Sequence, residues 1–252
     1  MVRPVTLFHV SDVHFGVADL NAHCWFAESV AREMPDGVIC TGDITQRAKR
    51  SQYAAARAWF ASLGVPVVLE PGNHDMPYYN PFERFWTPFA RFERLQRAVS
   101  GEPDLPGLAL VSLRTTVPVQ KRFPWSDGVV TANALDRTLH ELERIEGDGR
   151  YKIVLCHHPL MAGPPGSPNP TIHGDQAFAA LARVGADAVL SGHVHDAFDL
   201  TFEVEGRRLR MIGAGTLSTR LRSTRPSFNV LRYDPADGLQ VEARTFLPGQ
   251  QA

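Results

Sequence analysis

Apolar runs of four to six residues alternate with longer amphipathic stretches through the first half of the chain, and this alternation restricts the fold more than any other feature. Residues 5–10, 37–41 and 66–69 read as strands. Residues 21–33 and 51–63 read as helices, the second closed by Gly64 at its C′ position. Strands that are apolar throughout and separated by helices imply a parallel sheet covered on both faces. Further strands are expected at 108–114, 152–156 and 188–191, and helices at 134–145 and 176–184, with Thr131 or Asn133 capping the first of these helices. The last quarter reads as antiparallel, with strands at 198–204, 207–213, 227–233 and 239–243 and turns at Glu205-Gly206 and Asp237-Gly238.

Between residues 76 and 107 the pattern is less regular. Phe82, Phe85, Trp86, Phe89 and Phe92 fall at helical spacing with Arg84, Arg91 and Arg94 between them. That stripe predicts a helix lying on the core, in preference to a membrane-docking or ligand-binding face. Residues 159–170 hold five prolines and two glycines and read as a loop. With no internal repeat and no linker, residues 1–252 are expected to form a single domain.

A net charge of -1 with scattered Lys and Arg leaves no basic stripe for a nucleic-acid duplex. Cys24, Cys40 and Cys156 are an odd set without paired spacing, as in a protein of a reducing compartment. No signal-peptide pattern opens the chain and no apolar stretch is long enough to span a bilayer, so a cytoplasmic protein is expected. Self-association is left open.

The chemistry lies at the strand ends. After the first strand come Asp12 and His14; after the second, Gly42-Asp43; after the third, Gly72-Asn73-His74-Asp75. Later runs end in His157-His158-Pro159 and Gly192-His193-Val194-His195. Strand carboxyl ends in a parallel sheet share one edge, where ligands bind, so these side chains should converge. Any one fragment is equally a turn or a strand end; the ordered set of five is the signal. On an extended backbone His193 and His195 would point the same way, as chelation requires. The donors are oxygen and imidazole with no thiolate, a set that suits Mn, Fe, Zn or Co, and two carboxylates are too few for calcium. Asp12, His14, Asp43, Asn73, His157, His193 and His195 are too many ligands for one ion, but fit two that share a carboxylate. With a bridging hydroxide the pair would carry a net charge of about +1, matched to an anionic phosphate ester.

These blocks, D-x-H, G-D, G-N-H-D, H and G-H-x-H, resemble the signature of the calcineurin-like metallophosphoesterases, and their order is similar to the bacterial class III cyclic-nucleotide-phosphodiesterase-like branch. The resemblance covers residues 12–195. It implies a four-layer α/β/β/α sandwich and two transition-metal ions, Mn, Fe or Zn. One ion would be held by Asp12, His14 and His195, the other by Asn73, His157 and His193, with Asp43 bridging. His157 is taken before His158 because the family's ligand stands two residues before the proline. His74, with Asp75 behind it, would contact phosphate or protonate the leaving group. Asp196 stands where many relatives carry glycine, which alters the pocket rim.

The implied activity is hydrolysis of a small phosphate ester, foremost a diester, by in-line attack of the bridging hydroxide. A phosphomonoesterase is the alternative, and a non-catalytic scaffold a remote one. Cyclic nucleotides, glycerophosphodiesters and nucleotide-linked lipid precursors all fit. Two segments could select among them: 159–170, with His173 beyond it, and 213–225, where Arg220, Arg222 and Arg225 could hold a second phosphate or a polar head group. Arg47 is a further neighbour of Asp43 in sequence.

Overall fold

The computed structural model describes residues 3–247 apart from 100, 102, 124 and 164–170. Most of the proline-rich segment therefore lies outside the described residues. Strands β1 (Val5–Val10), β2 (Gly37–Cys40) and β3 (Val67–Leu69) alternate with helices α1 (Leu20–Glu33) and α2 (Arg50–Ser62). Next come α3 (Pro81–Trp86), α4 (Ala90–Val99), β4 (Leu108–Ser112), α5 (Ala132–Arg144), β5 (Tyr151–Leu155), α6 (Gly174–Arg183) and β6 (Ala188–Ser191). Strands β7 (Phe198–Val204), β8 (Arg207–Gly213), β9 (Ser227–Asp234) and β10 (Gly238–Thr245) complete the chain's regular elements. The helix ends are capped by side chains and by glycine. Asp19 accepts hydrogen bonds from the first turn of α1, Thr131 caps α5, and Gly64 takes φ +70° just past α2.

The strands form two five-stranded mixed sheets, in the orders β10-β9-β1-β2-β3 and β4-β5-β6-β8-β7. The parallel strands expected to be covered on both faces are thus divided between two sheets. The last quarter is corrected: β7–β8 and β9–β10 are antiparallel hairpins, but β8 pairs in parallel with β6. Each parallel strand has one face on helices and the other on the opposite sheet. Phe8, Val10, Val38 and Cys40 pack with Trp25 and Phe26 of α1 and Phe60 of α2. Leu7 and Ile39 on the reverse face meet Ile153, Leu155, Leu190 and Ile212 of the second sheet. Val154, Val189 and Met211 then pack with Leu142 of α5 and Phe178 and Leu181 of α6. The layers are thus α/β/β/α, the arrangement that the family resemblance implies. A strand sealed on both sides by partners of either kind reads as one apolar run, which is why one sheet and two could not be told apart from the pattern.

The aromatic stripe does not form one core-facing helix. Pro88 lacks an amide hydrogen and disfavours a helical residue before it, and the helix breaks there, with Thr87 at φ -141° and ψ 54°. Phe89 and Phe92, on the α4 side of the break, are buried. Phe82, Phe85 and Trp86 of α3 are 74%, 56% and 75% exposed.

Among the described residues no helix is long and apolar enough to cross a membrane. Glu70, just past β3, is buried. Burial pushes its carboxyl up to about 7, against the hydrogen bond to Ser112 and the charge of Arg114. The folded protein holds this proton where the unfolded chain has lost it, so stability should fall as pH rises from about 4.5 to about 7, by roughly 3 kcal/mol in all. Urea unfolding of Glu70→Gln across that window should remove this loss, and an unchanged pH profile would show that Glu70 does not carry it.

Candidate metal centre

All five motifs emerge at the carboxyl ends of parallel strands, three from the first sheet (β1, β2, β3) and two from the second (β5, β6). The site therefore straddles the seam of the sandwich. Hydrogen bonds cross it: His157 Nδ1 donates to the Thr41 carbonyl at 2.7 Å, and the His193 amide donates to Asp12 Oδ2 at 2.8 Å. Asp12, His14, Asp43, His193 and His195 all have left-handed backbone, with φ between 46° and 68°. For residues other than glycine this costs of order 1–3 kcal/mol each and persists only where the surroundings enforce it. It also corrects the extended geometry expected for residues 192–195. The motif glycines permit close approach. A Cβ on Gly72 would lie 2.1 Å from Asp43 Oδ1, and one on Gly192 would lie 1.8 Å from Ser11 Oγ.

Six of the seven expected ligands meet one another directly through side-chain atoms. Asp12 Oδ1 lies 3.0 Å from His195 Nε2 and 3.6 Å from His14 Nε2. Asp43 presents its two oxygens separately, Oδ1 at 3.5 Å from His157 Nε2 and Oδ2 at 3.7 Å from His14 Nε2. Asn73 Oδ1 is 3.2 Å from His157 Nε2. The seventh, His193, packs its ring 5.3 Å from that of His157. His157 and His195 donate through Nδ1 to the carbonyls of Thr41 and Arg220, which turns each Nε2 inward as the atom available to an ion once it is deprotonated.

Among the described residues, three groups are compact enough to hold a cation: Asp12 with His14 and His195; Asp12 with Asp43 and His157; and His157 with His158 and His193. The local polar bonding fits such a group. Asp12 Oδ1 and His14 Nδ1 are buried without a hydrogen-bond partner, and the Nε2 atoms of His14 and His195 face each other at 3.4 Å. A divalent ion there would satisfy Asp12 Oδ1 and take up the two facing Nε2 atoms, and the oxygen and imidazole donors suit it.

Electrostatics point the same way. Burial opposes ionisation of Asp12, yet His195 and His14 hold its carboxyl well below the ordinary range, and Asp43 is held low by His157 and His74. Burial keeps His14 below its usual value and takes His193 down to about 3, so both present neutral rings. Burial would also lower His157, but Asp43 and Asp12 carry it up to about 9.

Several expectations are revised. The ring of His158 lies on the side of the centre, 4.5 Å from that of His193. Both its nitrogens are engaged, Nε2 with the Ser126 carbonyl at 2.9 Å and Nδ1 with the Thr115 hydroxyl at 3.0 Å, so it has no free lone pair. Asp75 does not back His74. It is buried and accepts hydrogen bonds from the amides of Gly72, Ile44 and Thr45, tying two motif loops together. His74 stands at the open edge, with Nδ1 bonded to the Gln46 carbonyl at 2.8 Å and Nε2 to Arg220 at 3.0 Å. The Arg220 guanidinium also reaches His14 Nε2 at 3.5 Å. Arg222 and Arg225 are exposed. Asp196 accepts from the amides and hydroxyls of Ser223 and Thr224 and so shapes the rim. Arg47 sits 4.8 Å over the Tyr78 ring.

The sequence reading missed the carbonyls of Thr41, Gln46 and Arg220, which orient three imidazoles, because main-chain acceptors leave no residue signal. It also missed a cavity of about 700 Å3 that opens at Asn73 and His74 and is walled by Tyr78, Phe85, Phe123 and Trp125. The available signal was a set of aromatic residues, Tyr78, Tyr79, Phe123 and Trp125, lying outside any strand or helix.

An ion lodged between Asp43 and His157 must displace the His157 proton. Divalent-ion binding should therefore release protons and weaken as pH falls from about 8 to about 6, by up to roughly tenfold per unit for each proton displaced. Calorimetric titration with Mn2+ in buffers of different ionisation enthalpy measures this, and a pH-independent affinity would take His157 out of the ion's path.

Comparisons with known proteins agree with this geometry. The family model described as calcineurin-like phosphoesterase matches residues 5–197. The 3',5'-cyclic adenosine monophosphate phosphodiesterase CpdA of Pseudomonas aeruginosa is 31% identical over 183 residues, 68% of this chain and 59% of that protein. The glycerophosphodiester phosphodiesterase GpdQ of Enterobacter lignolyticus is 38% identical over 82 residues, 27% of this chain and 29% of that protein. The chain thus spans less than two thirds of either relative. A dimetal phosphatase from Danio rerio superposes with a TM-score of 0.64 at 14% identity, covering 97% of this chain and 100% of that one. The purple acid phosphatase PPD1 of yellow lupin gives 0.64 at 15%, covering 99% of this chain and 53% of that one. Identities this low speak for the sandwich fold alone. Because the family match runs through every motif from Asp12 to His195, the chain belongs to the calcineurin-like phosphoesterases.

Proposed function

We propose that residues 1–252 act as one metal-dependent phosphodiesterase with a two-ion centre. The observation that carries this reading is Asp43, whose two oxygens face His14 and His157 separately and can be shared between two ions. Asp12, His14 and His195 would hold one ion, and Asn73, His157 and His193 the other. The donor set suits Mn, Fe or Zn. When bound, such a pair supplies Lewis acidity towards the phosphoryl oxygens and an activated water at neutral pH. The names of the relatives support a diester as substrate. Free Cys24, Cys40 and Cys156 support a reducing, cytoplasmic setting.

The remaining steps fall to the chain's own side chains. Arg220 and His74 lie at the open edge and would receive the non-bridging phosphoryl oxygens. A phosphate there competes for the Arg220 guanidinium and frees His74 Nε2. With Nδ1–H fixed on the Gln46 carbonyl, the freed Nε2 carries a lone pair, and once it has taken up a proton from solvent it is the one atom of the ring able to deliver that proton to the departing oxygen. The Arg220 carbonyl keeps His195 in place meanwhile.

Two expected outcomes test this. The purified protein should bind two transition ions per chain, lose activity on chelation and regain it with Mn2+, and Asp43→Asn should lose activity and ion occupancy together. One ion at saturation would end the two-ion reading, and faster turnover of p-nitrophenyl phosphate than of bis-p-nitrophenyl phosphate would make the protein a monoesterase. For His74→Ala, turnover of an alkyl diester should drop by ~10²–10⁴-fold with both ions retained, and that of bis-p-nitrophenyl phosphate far less, because nitrophenolate leaves without a proton. Equal losses would reduce His74 to phosphate binding.

A further inference from the structure

The cavity beside the centre has walls of a distinct chemical kind. It is lined by Asn73 and His74 from the centre and by Tyr78, Phe85, Phe123 and Trp125. The charged residue among the apolar lining, Arg84, is already engaged. Its Nε donates to the Pro118 carbonyl at 2.8 Å and its Nη1 to the Pro77 carbonyl at 3.4 Å. Arg84 thus clips the segment before α3 to the one around Pro118. Arg47, stacked on Tyr78, braces that ring. Phe85, Trp125 and Phe123 are nevertheless 56%, 67% and 86% exposed. Large aromatic groups left in water next to one another mark a surface that something apolar covers.

The place where the cavity starts identifies its occupant. It is continuous with Asn73 and His74, so a phosphoryl group at the centre must place its organic substituent along these rings. The lining is mostly apolar and aromatic, with Gln46, Tyr78 and Ser126 as its polar side chains beyond Asn73, His74 and Arg84. Along Phe85, Phe123 and Trp125 a polyol such as glycerol would lose water without replacing its hydrogen bonds, whereas a flat ring would stack. We propose that this cavity is the subsite for the organic group of the ester and selects a flat aromatic group over a small alkyl or polyol one, with Phe85 and Trp125 as specificity determinants and Arg84 as a positioning residue. The proposal rests on the reading of the centre as a phosphoester site.

Binding of two small phosphonates to the manganese-loaded protein, measured by calorimetry, tests it. Phenylphosphonate should bind at least about tenfold more tightly than methylphosphonate, the worth of one or two ring contacts. In a Phe85→Ala/Trp125→Ala double variant this preference should shrink to about twofold, with methylphosphonate affinity unchanged. Both side chains are exposed, so folding should survive. Trp125→Phe should keep most of the preference, and so should Trp86→Ala, because Trp86 stacks on Phe82 outside the cavity lining. Equal affinities in the unaltered protein, no binding of phenylphosphonate, or a preference that persists in the double variant would each overturn the subsite. Turnover of bis-p-nitrophenyl phosphate separates the two readings. Ring selection without turnover of any ester leaves the subsite and removes the hydrolase, and turnover without ring selection does the reverse.

Discussion

Two buried carboxylates, Asp12 and Asp43, face a group of imidazoles across the seam between the sheets, and the rest of the site is arranged around that confrontation. Carboxylates so far from water are costly unless positive charge compensates them. The protein supplies part of that compensation through His157 and His195, whose pKa values rise, and leaves Asp12 Oδ1 without a hydrogen bond. Bound divalent ions would complete it. Because these side chains come from both sheets, the same charge balance also ties the two sheets together at one end.

Holding those side chains in place strains the backbone, and the strain is offset locally. Asp12, Asp43 and three of the histidines occupy left-handed conformations that their side chains disfavour. The loops that impose them are tied by buried polar bonds. Asp75 gathers the amides of Gly72, Ile44 and Thr45, and Thr216 donates its hydroxyl to the Asp12 carbonyl at 2.6 Å. Tyr53, on α2, donates to the Asp75 carbonyl at 2.6 Å and links this mesh to the helical layer. Asp75 belongs to the motif by sequence, but its role here is to hold the loops and not to assist His74.

The open side of the site is built differently. His74 and Arg220 share a hydrogen bond at the mouth and are free to exchange it for a phosphoryl oxygen. Beyond them the walls are aromatic and exposed. The two faces of the centre thus differ in character, a closed polar interior on one side and a largely aromatic mouth on the other. The glycine- and arginine-containing stretch after β8 contributes Arg220 to this mouth, while Arg222 and Arg225 project into solvent.

What could be read from the residues alone was what depends on local order along the chain. Strand ends are local, so the positions of Asp12, His14, Asp43, Asn73, His157, His193 and His195 were legible, as were the helix ends marked by Thr131 and Gly64. The tertiary structure decided what depends on partners distant in sequence. The strand pattern left open which sheet each strand joins, because a strand buried on both faces carries no mark of what buries it. The partners of His158, Ser126 and Thr115, come from other elements and left no trace beside it in the sequence. The aromatic stripe split at Pro88 into a buried half and an exposed one, because the periodicity of a helix states which residues share a face and not whether anything lies against it.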